Sequence, residues 1–221
     1  ALDFLAHIND GTNPTVASGF FAGFNQDLEP PAATASWPQV GELRFRSGKW
    51  PFVLGCDYAH FIAGVASGIF FDKCNARLRS WWRSGGLPSV SVHARNPYSA
   101  FGFSDRIPLD AIHMSDLLTP FPITPEGLVA ANVWRADMVA IADGLADLGV
   151  PVLFRPLHEM NATHFWWGGQ TPATYKALWR NMFTFMRDVY PTLPNRRPLR
   201  NVIWVYSPQS RIHRGPLPSN G

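Results

Sequence analysis

Short apolar runs alternate with longer amphipathic stretches along most of this 221-residue chain, and that alternation constrains the fold more than any other feature. A parallel sheet whose strands are joined by crossover helices satisfies both halves of the pattern. Strands are predicted over Ser18–Phe24, Pro51–Asp57, Leu87–His93, Val150–Arg155 and Asn201–Tyr206. Helices are predicted over Ala1–Ile8, Trp37–Phe45, Asp72–Ser84, Pro172–Tyr190, and from Thr124 to about Leu148. Punctuation supports them: Thr124-Pro125-Glu126 supplies a capping hydroxyl and a first-turn proline, while Gly85-Gly86 and Gly149 follow helix ends.

Five strand–helix units fit within these residues, whereas a complete eight-unit barrel takes roughly 250. The expected class is therefore α/β, a (β/α)8 TIM-type barrel of which residues 1–221 form one catalytic-type domain covering about the first five βα units. A five-stranded doubly wound sheet is the alternative, but its glycine-rich phosphate loop after the first strand is absent. The stretch Ala94–Thr124, rich in Pro, Ser and Asp, reads as a long functional loop.

Composition narrows the function. Net charge is only +3, and the basic run Asn195-Arg196-Arg197-Pro198-Leu199-Arg200 is short, which argues against a nucleic-acid partner. No apolar run is long enough to span a membrane. No signal peptide is visible, and Ala1 fits a terminus left either by processing or by trimming of the chain. Nine Trp and sixteen Phe exceed what a core of this size requires. Several lie beside polar residues in loops, where flat rings rimmed by hydrogen-bonding groups suit sugars. Cys56 and Cys74 read as two buried free thiols, with a disulfide as the alternative in an oxidising compartment. The sequon Asn161-Ala162-Thr163 falls where a glycan would block the expected cleft, so it reads as unused.

The chemistry concentrates in Val152-Leu153-Phe154-Arg155-Pro156-Leu157-His158-Glu159-Met160-Asn161, an apolar strand running straight into Arg, His and Glu. Catalytic groups occupy the C-terminal ends of strands in parallel βα folds. A surface salt-bridge cluster would explain the charges but not the aromatic run His164-Phe165-Trp166-Trp167-Gly168-Gly169 that follows. A zinc protease motif fails because position 162 is Ala rather than His. His60, His93, His158 and His164 show no ligand spacing, so neither metal nor cofactor is expected.

Arg155-Pro156-Leu157-His158-Glu159-Met160-Asn161 followed by Phe165-Trp166-Trp167-Gly168 resembles the signature of glycoside hydrolase family 26, best known for β-mannanases. Gly55-Cys56-Asp57-Tyr58, Val92-His93-Ala94-Arg95-Asn96-Pro97 and Val202-Ile203-Trp204-Val205-Tyr206-Ser207-Pro208 resemble its strand ends. The resemblance implies a retaining, secreted or extracellular β-1,4-mannan hydrolase with Glu159 as acid/base. It implies substrate contacts from His93, His158, Trp166, Trp167, Asp57 and Asn96. The family also holds xylanases and mixed-linkage glucanases, and an inactive carbohydrate-binding fragment is a further alternative. Two departures stand out. His164 replaces the usual Trp five residues after the acid/base, and no Asp or Glu follows Asp188, so the family's seventh-strand nucleophile is not found. A second chain or a further segment completing the barrel is therefore expected, together with a polysaccharide or oligosaccharide substrate. A second barrel carboxylate at Asp57 is the remaining possibility.

Overall fold

The computed structural model describes residues 19–21, 44–46, 48–60, 68–69, 71–99, 113–118 and 124–209. Strands β1 (Gly19–Phe21), β2 (Val53–Asp57), β5 (Leu87–Ser91), β6 (Val152–Arg155) and β7 (Val202–Trp204) form one sheet in that spatial order. Every pairing in it is parallel, with Gly19 opposite Val53, Val53 opposite Leu87, Ser89 opposite Leu153, and Val152 opposite Val202. The order never reverses, so the sheet has the winding of a (β/α)8 barrel, and the doubly wound alternative is set aside. A separate two-stranded antiparallel ribbon, β3 (Ala59–His60) with β4 (Gly68–Ile69), was not anticipated from the sequence.

Helices α1 (Asp72–Arg83), α2 (Met114–Leu118), α3 (Pro125–Leu148) and α4 (Pro172–Thr184) complete the described elements. In α3, Ala130, Trp134, Met138, Ile141, Leu145 and Leu148 are buried, three or four residues apart. This stripe faces the core, and each large side chain in it contributes about 1.5–3 kcal/mol. The helix begins where Thr124 Oγ1 accepts the Gly127 N–H at 2.9 Å and ends at Gly149, whose φ of 65° is the left-handed region a glycine enters without strain. At Gly144 the rings of Tyr58 and Phe71 pack where a Cβ would stand, so α3 can lie close over the end of β2.

Several expectations are corrected in detail. Residues 94–124 are not all loop, because Met114 and Leu117 are buried in α2; the polar Ser115-Asp116 pair had masked this short helix. The helix predicted to Tyr190 ends at Thr184, followed by a π-helical turn Phe185–Val189 and a 3-10 turn Tyr190–Thr192. Consecutive Phe185 and Met186 are both buried, which the wider turn allows, and Pro191 supplies no N–H to continue. The strand predicted to His93 leaves the ladder after Ser91, since the His93 N–H turns to the Asp57 carboxylate at 3.1 Å. Cys56 and Cys74 form a disulfide with Cα atoms 5.9 Å apart, correcting the free-thiol expectation: the first turn of α1 carries Cys74 over the end of β2. The predicted helix Ala1–Ile8 and most of Trp37–Phe45 lie outside the described residues; 44–46 are helical.

Candidate active site

Strand β6 delivers its last residue, Arg155, to the C-terminal end of the sheet, where Pro156 ends the ladder. Leu157 and Glu159 then adopt φ of 47° and 56°, the left-handed region that costs a side-chain-bearing residue roughly 1–2 kcal/mol each. The surroundings hold them there. Tyr175 Oη donates to the Leu157 carbonyl at 3.0 Å, Trp167 Nε1 to the His158 carbonyl at 2.8 Å, and Gly169 N to the Met160 carbonyl at 2.9 Å. Glu159 N donates to the Ser207 carbonyl at 2.8 Å, and Ala162 N to the Glu159 carbonyl at 2.9 Å. The loop is thus fixed bond by bond, and Glu159 is the residue it presents with its side chain partly open, at 33% exposure.

Beside it runs a buried polar line. Asp57, at the end of β2, is 2% exposed and accepts from Ser91 Oγ, from His93 N, and from His93 Nδ1 at 2.8 Å. The carboxylate fixes the His93 proton on Nδ1 and leaves Nε2 as an acceptor. That Nε2 lies 3.3 Å from Nε2 of His158, with the rings edge-to-face at 82°. Burial first, then the neighbouring His93 and Arg155, push the His158 pKa down to about 4, with Asp57 and the Arg155 backbone pulling weakly upward. His158 is therefore neutral near pH 7 and donates its Nε2–H to His93.

Glu159 Oε2 meets His164 Nε2 at 3.1 Å, and His164 packs edge-on against Phe165 at 4.2 Å between ring centroids. Sequence reasoning weighed His164 as a metal ligand and noted it as a departure from a family pattern; the structure makes it the side-chain partner of Glu159. Arg155 donates to Ser207 Oγ at 3.0 Å, and burial lowers its pKa against the opposing fields of Glu159 and Asp57. Sequence reasoning did not flag Ser91 and Ser207. The alternation of Ser89 and Ser91 in an otherwise apolar strand was the available signal for the first.

The remaining candidates divide. His93 and His158 come together against Phe165, whereas Trp166 and Trp167 are each 0% exposed and offer no face to a sugar. This corrects the expectation that they stack on substrate. Trp166 donates to the Ala94 carbonyl at 3.0 Å, and Trp167, stacked on Phe165 at 4.5 Å, supports the loop from below. Asn96 is 1% exposed, and its Oδ1 accepts from Tyr98 N at 2.9 Å, turning the loop after β5. Asp57 has both oxygens engaged by protein groups, so its reach is through His93 rather than to a ligand. Tyr206, 63% exposed just past the edge strand β7, packs beside Trp179 and Tyr175 of α4 in a groove of about 600 Å³ on the helix side of the sheet. Among the described residues no cluster of three or more His, Cys, Asp or Glu could hold a metal ion.

Among the described residues, a parallel, non-reversing βα sheet thus carries the partly open Glu159 carboxylate at its C-terminal end, together with a buried Asp–His–His line, which is the architecture of a (β/α) barrel. The sequence profile of glycosyl hydrolase family 26 matches residues 1–214, and the chain belongs to that family. It is similar to a mannan endo-1,4-beta-mannosidase of Bacillus subtilis (strain 168), 34% identical over 95% of this chain and 56% of the relative. It is also similar to "Mannan endo-1,4-beta-mannosidase A and B" of Caldalkalibacillus mannanilyticus, 34% identical over 93% of this chain and 38% of the relative. Among solved structures, Bacillus subtilis mannanase man26 superposes with a TM-score of 0.72 and 36% identity, covering 94% of this chain and 60% of that one. The chain thus spans little more than half the length of the Bacillus subtilis relatives it matches.

Proposed function

We propose that this chain carries the acid/base half of an extracellular, retaining endo-β-1,4-mannanase, with Glu159 as the acid/base. The observation that carries the reading is the position of Glu159: just past the end of β6, in a loop fixed by five hydrogen bonds, with its carboxylate partly open beside His164. In the first step Glu159 protonates the departing glycosidic oxygen; in the second it takes a proton from the water that releases the sugar. His93, its tautomer set by Asp57 and its side chain 14% exposed, is the member of the pair that would meet a sugar, and His158, 3% exposed, would act behind it. The retaining mechanism needs a second carboxylate about 5–5.5 Å from the first. No Asp or Glu follows Asp188 in the sequence, so the proposal takes the nucleophile from a segment or chain beyond these 221 residues. The mannan preference rests on the names of the relatives, each a mannan endo-1,4-beta-mannosidase.

The test is calorimetric titration of the 221-residue chain, of verified mass, with mannohexaose, alongside reducing-end assays on mannan, xylan and mixed-linkage glucan. Saturable mannohexaose binding is expected, with little or no turnover by this chain alone. Glu159-dependent hydrolysis of mannan is expected once the longer protein supplies the nucleophile. Robust hydrolysis by the 221-residue chain, abolished in Glu159→Gln, would put the second carboxylate within it and make Asp57 the next residue to change. Preference for xylan or glucan would overturn the mannan assignment. Sugar binding without hydrolysis in the longer protein would favour a binding module.

A further inference from the structure

Asn161 is exposed, yet both functions of its side-chain amide are used by one backbone residue 48 positions away. Nδ2 donates to the Gln209 carbonyl at 2.9 Å, and Oδ1 accepts the Gln209 N–H at 2.7 Å. This reciprocal pair copies the exchange between hydrogen-bonded partners in an antiparallel ladder. It lies where the sheet can no longer help. Strand β7 ends at Trp204, and the Val205 N–H to the Phe154 carbonyl, at 2.8 Å, is the last backbone bond of its kind toward β6.

The same segment, 205–209, grips the catalytic loop at two further points. The Ser207 carbonyl accepts the Glu159 N–H at 2.8 Å, and Ser207 Oγ accepts from Arg155 Nε at 3.0 Å. With Ser207 supplying the direct hold on Glu159, the Asn161–Gln209 pair is the anchor that keeps Ser207 in place past the end of the ladder. We propose that Asn161 is a positioning residue for Glu159, acting through Gln209 and Ser207 rather than by touching substrate. Its function is to keep the Glu159 backbone in its left-handed conformation, φ 56°, from which the carboxylate reaches His164. Released from Ser207, a glutamate favours the right-handed or extended regions, and either would turn the carboxylate away. This inference rests on the assignment of Glu159 as acid/base, made above.

Asn161→Asp is close to isosteric but loses the Nδ2 donor and sets a carboxylate against the Gln209 carbonyl; Asn161→Ala removes the pair outright. On the 221-residue chain, amide hydrogen exchange is followed at Glu159 in the parent and both variants. Exchange at Glu159 should quicken by about tenfold or more, the loss of roughly one to two hydrogen bonds. Amides in α3 should be unchanged, which sets positioning apart from general unfolding. Unchanged protection at Glu159 in both variants would overturn the proposal. The second measurement uses the longer, hydrolytically competent protein and compares mannotetraose with a dinitrophenyl mannobioside, whose leaving group needs no proton. A misplaced acid lowers kcat/KM on mannotetraose by about tenfold or more while sparing kcat/KM on the aryl substrate, which reports formation of the glycosyl intermediate and not its hydrolysis. Equal losses on both substrates would mean a merely structural role and would also overturn it. If Glu159→Gln hydrolyses mannotetraose normally, the acid/base assignment is what has failed, and the exchange measurement alone then decides whether Asn161 holds the loop.

Discussion

The Nε2 atoms of His93 and His158 stand 3.3 Å apart, close enough for one N–H to bridge the two rings. Asp57 decides which ring holds it, by claiming Nδ1–H of His93 at 2.8 Å. Replacing Asp57 with Asn offers an amide that can donate to Nδ1 and flip the tautomer, setting two N–H groups against each other. Ring-nitrogen NMR correlations should show His93 protonated on Nδ1 in the parent and on Nε2 in Asp57→Asn. Mannohexaose affinity should fall by up to about tenfold, the upper end for one neutral hydrogen bond. Unchanged ring-nitrogen shifts would contradict the relay.

Acid should destabilise the fold through His158. Its folded pKa is depressed from 6.5 to about 4, so the unfolded chain binds the extra proton first as pH falls. The stability this neutral ring contributes is complete above about pH 6.5 and is lost progressively between there and about pH 4. At most it amounts to about 3 kcal/mol. Denaturant melts across that window should slope downward in the parent and more shallowly in His158→Gln; equal slopes would rule the group out.

Arg95 holds the loop after β5 onto α3 through Asp137, with Nε at 2.9 and 3.0 Å from the two carboxylate oxygens and a further bond from its terminal nitrogen. Asp137 is 2% exposed; burial raises its pKa, while the guanidinium pulls it back down. Arg95→Ala strands that carboxylate, and a loss of about 3–5 kcal/mol is expected by chemical denaturation. The double change Arg95→Met with Asp137→Leu should recover most of it. Failure of the single change to destabilise would show that the pair contributes little.

Reduction of the Cys56–Cys74 disulfide frees a loop with a sequence separation of 18. The chain-entropy account assigns such a closure about 3 kcal/mol. Thermal melts with and without reductant should differ by several degrees, and Cys56→Ala with Cys74→Ala should match the reduced protein. A melting temperature indifferent to reductant would show that the link does not restrain the unfolded chain.

The five parallel strands were legible because buried strands are written as continuous apolar runs, and β2 and β5 are buried almost throughout. Strand ends were overextended where backbone groups leave the ladder for side chains, as His93 N does for Asp57. Arg155, His158 and Glu159 could be set at a strand end from position alone, because the apolar run of β6 leads straight into them, whereas His93 entered only through the family resemblance. The fate of Trp166 and Trp167 could not be read in this way. A tryptophan beside polar residues in a loop looks the same in sequence whether its ring faces water or folds beneath that loop, as both do here. Nor could the pairing of Asn161 with Gln209, because nothing in a one-dimensional string marks two residues 48 apart as neighbours.

The dry indoles beneath the loop also bear on how the protein would look in a fluorimeter. Trp134, Trp166 and Trp167 are at most 1% exposed, while Trp50 is 59% exposed and open to collision. Acrylamide should quench a red-shifted component from Trp50 and leave a blue-shifted one from the three shielded rings. A sugar arriving over Glu159 would meet His164 before any of those three, leaving their emission nearly silent to binding. An optical reporter for ligand would instead need a fluorophore placed beside His164.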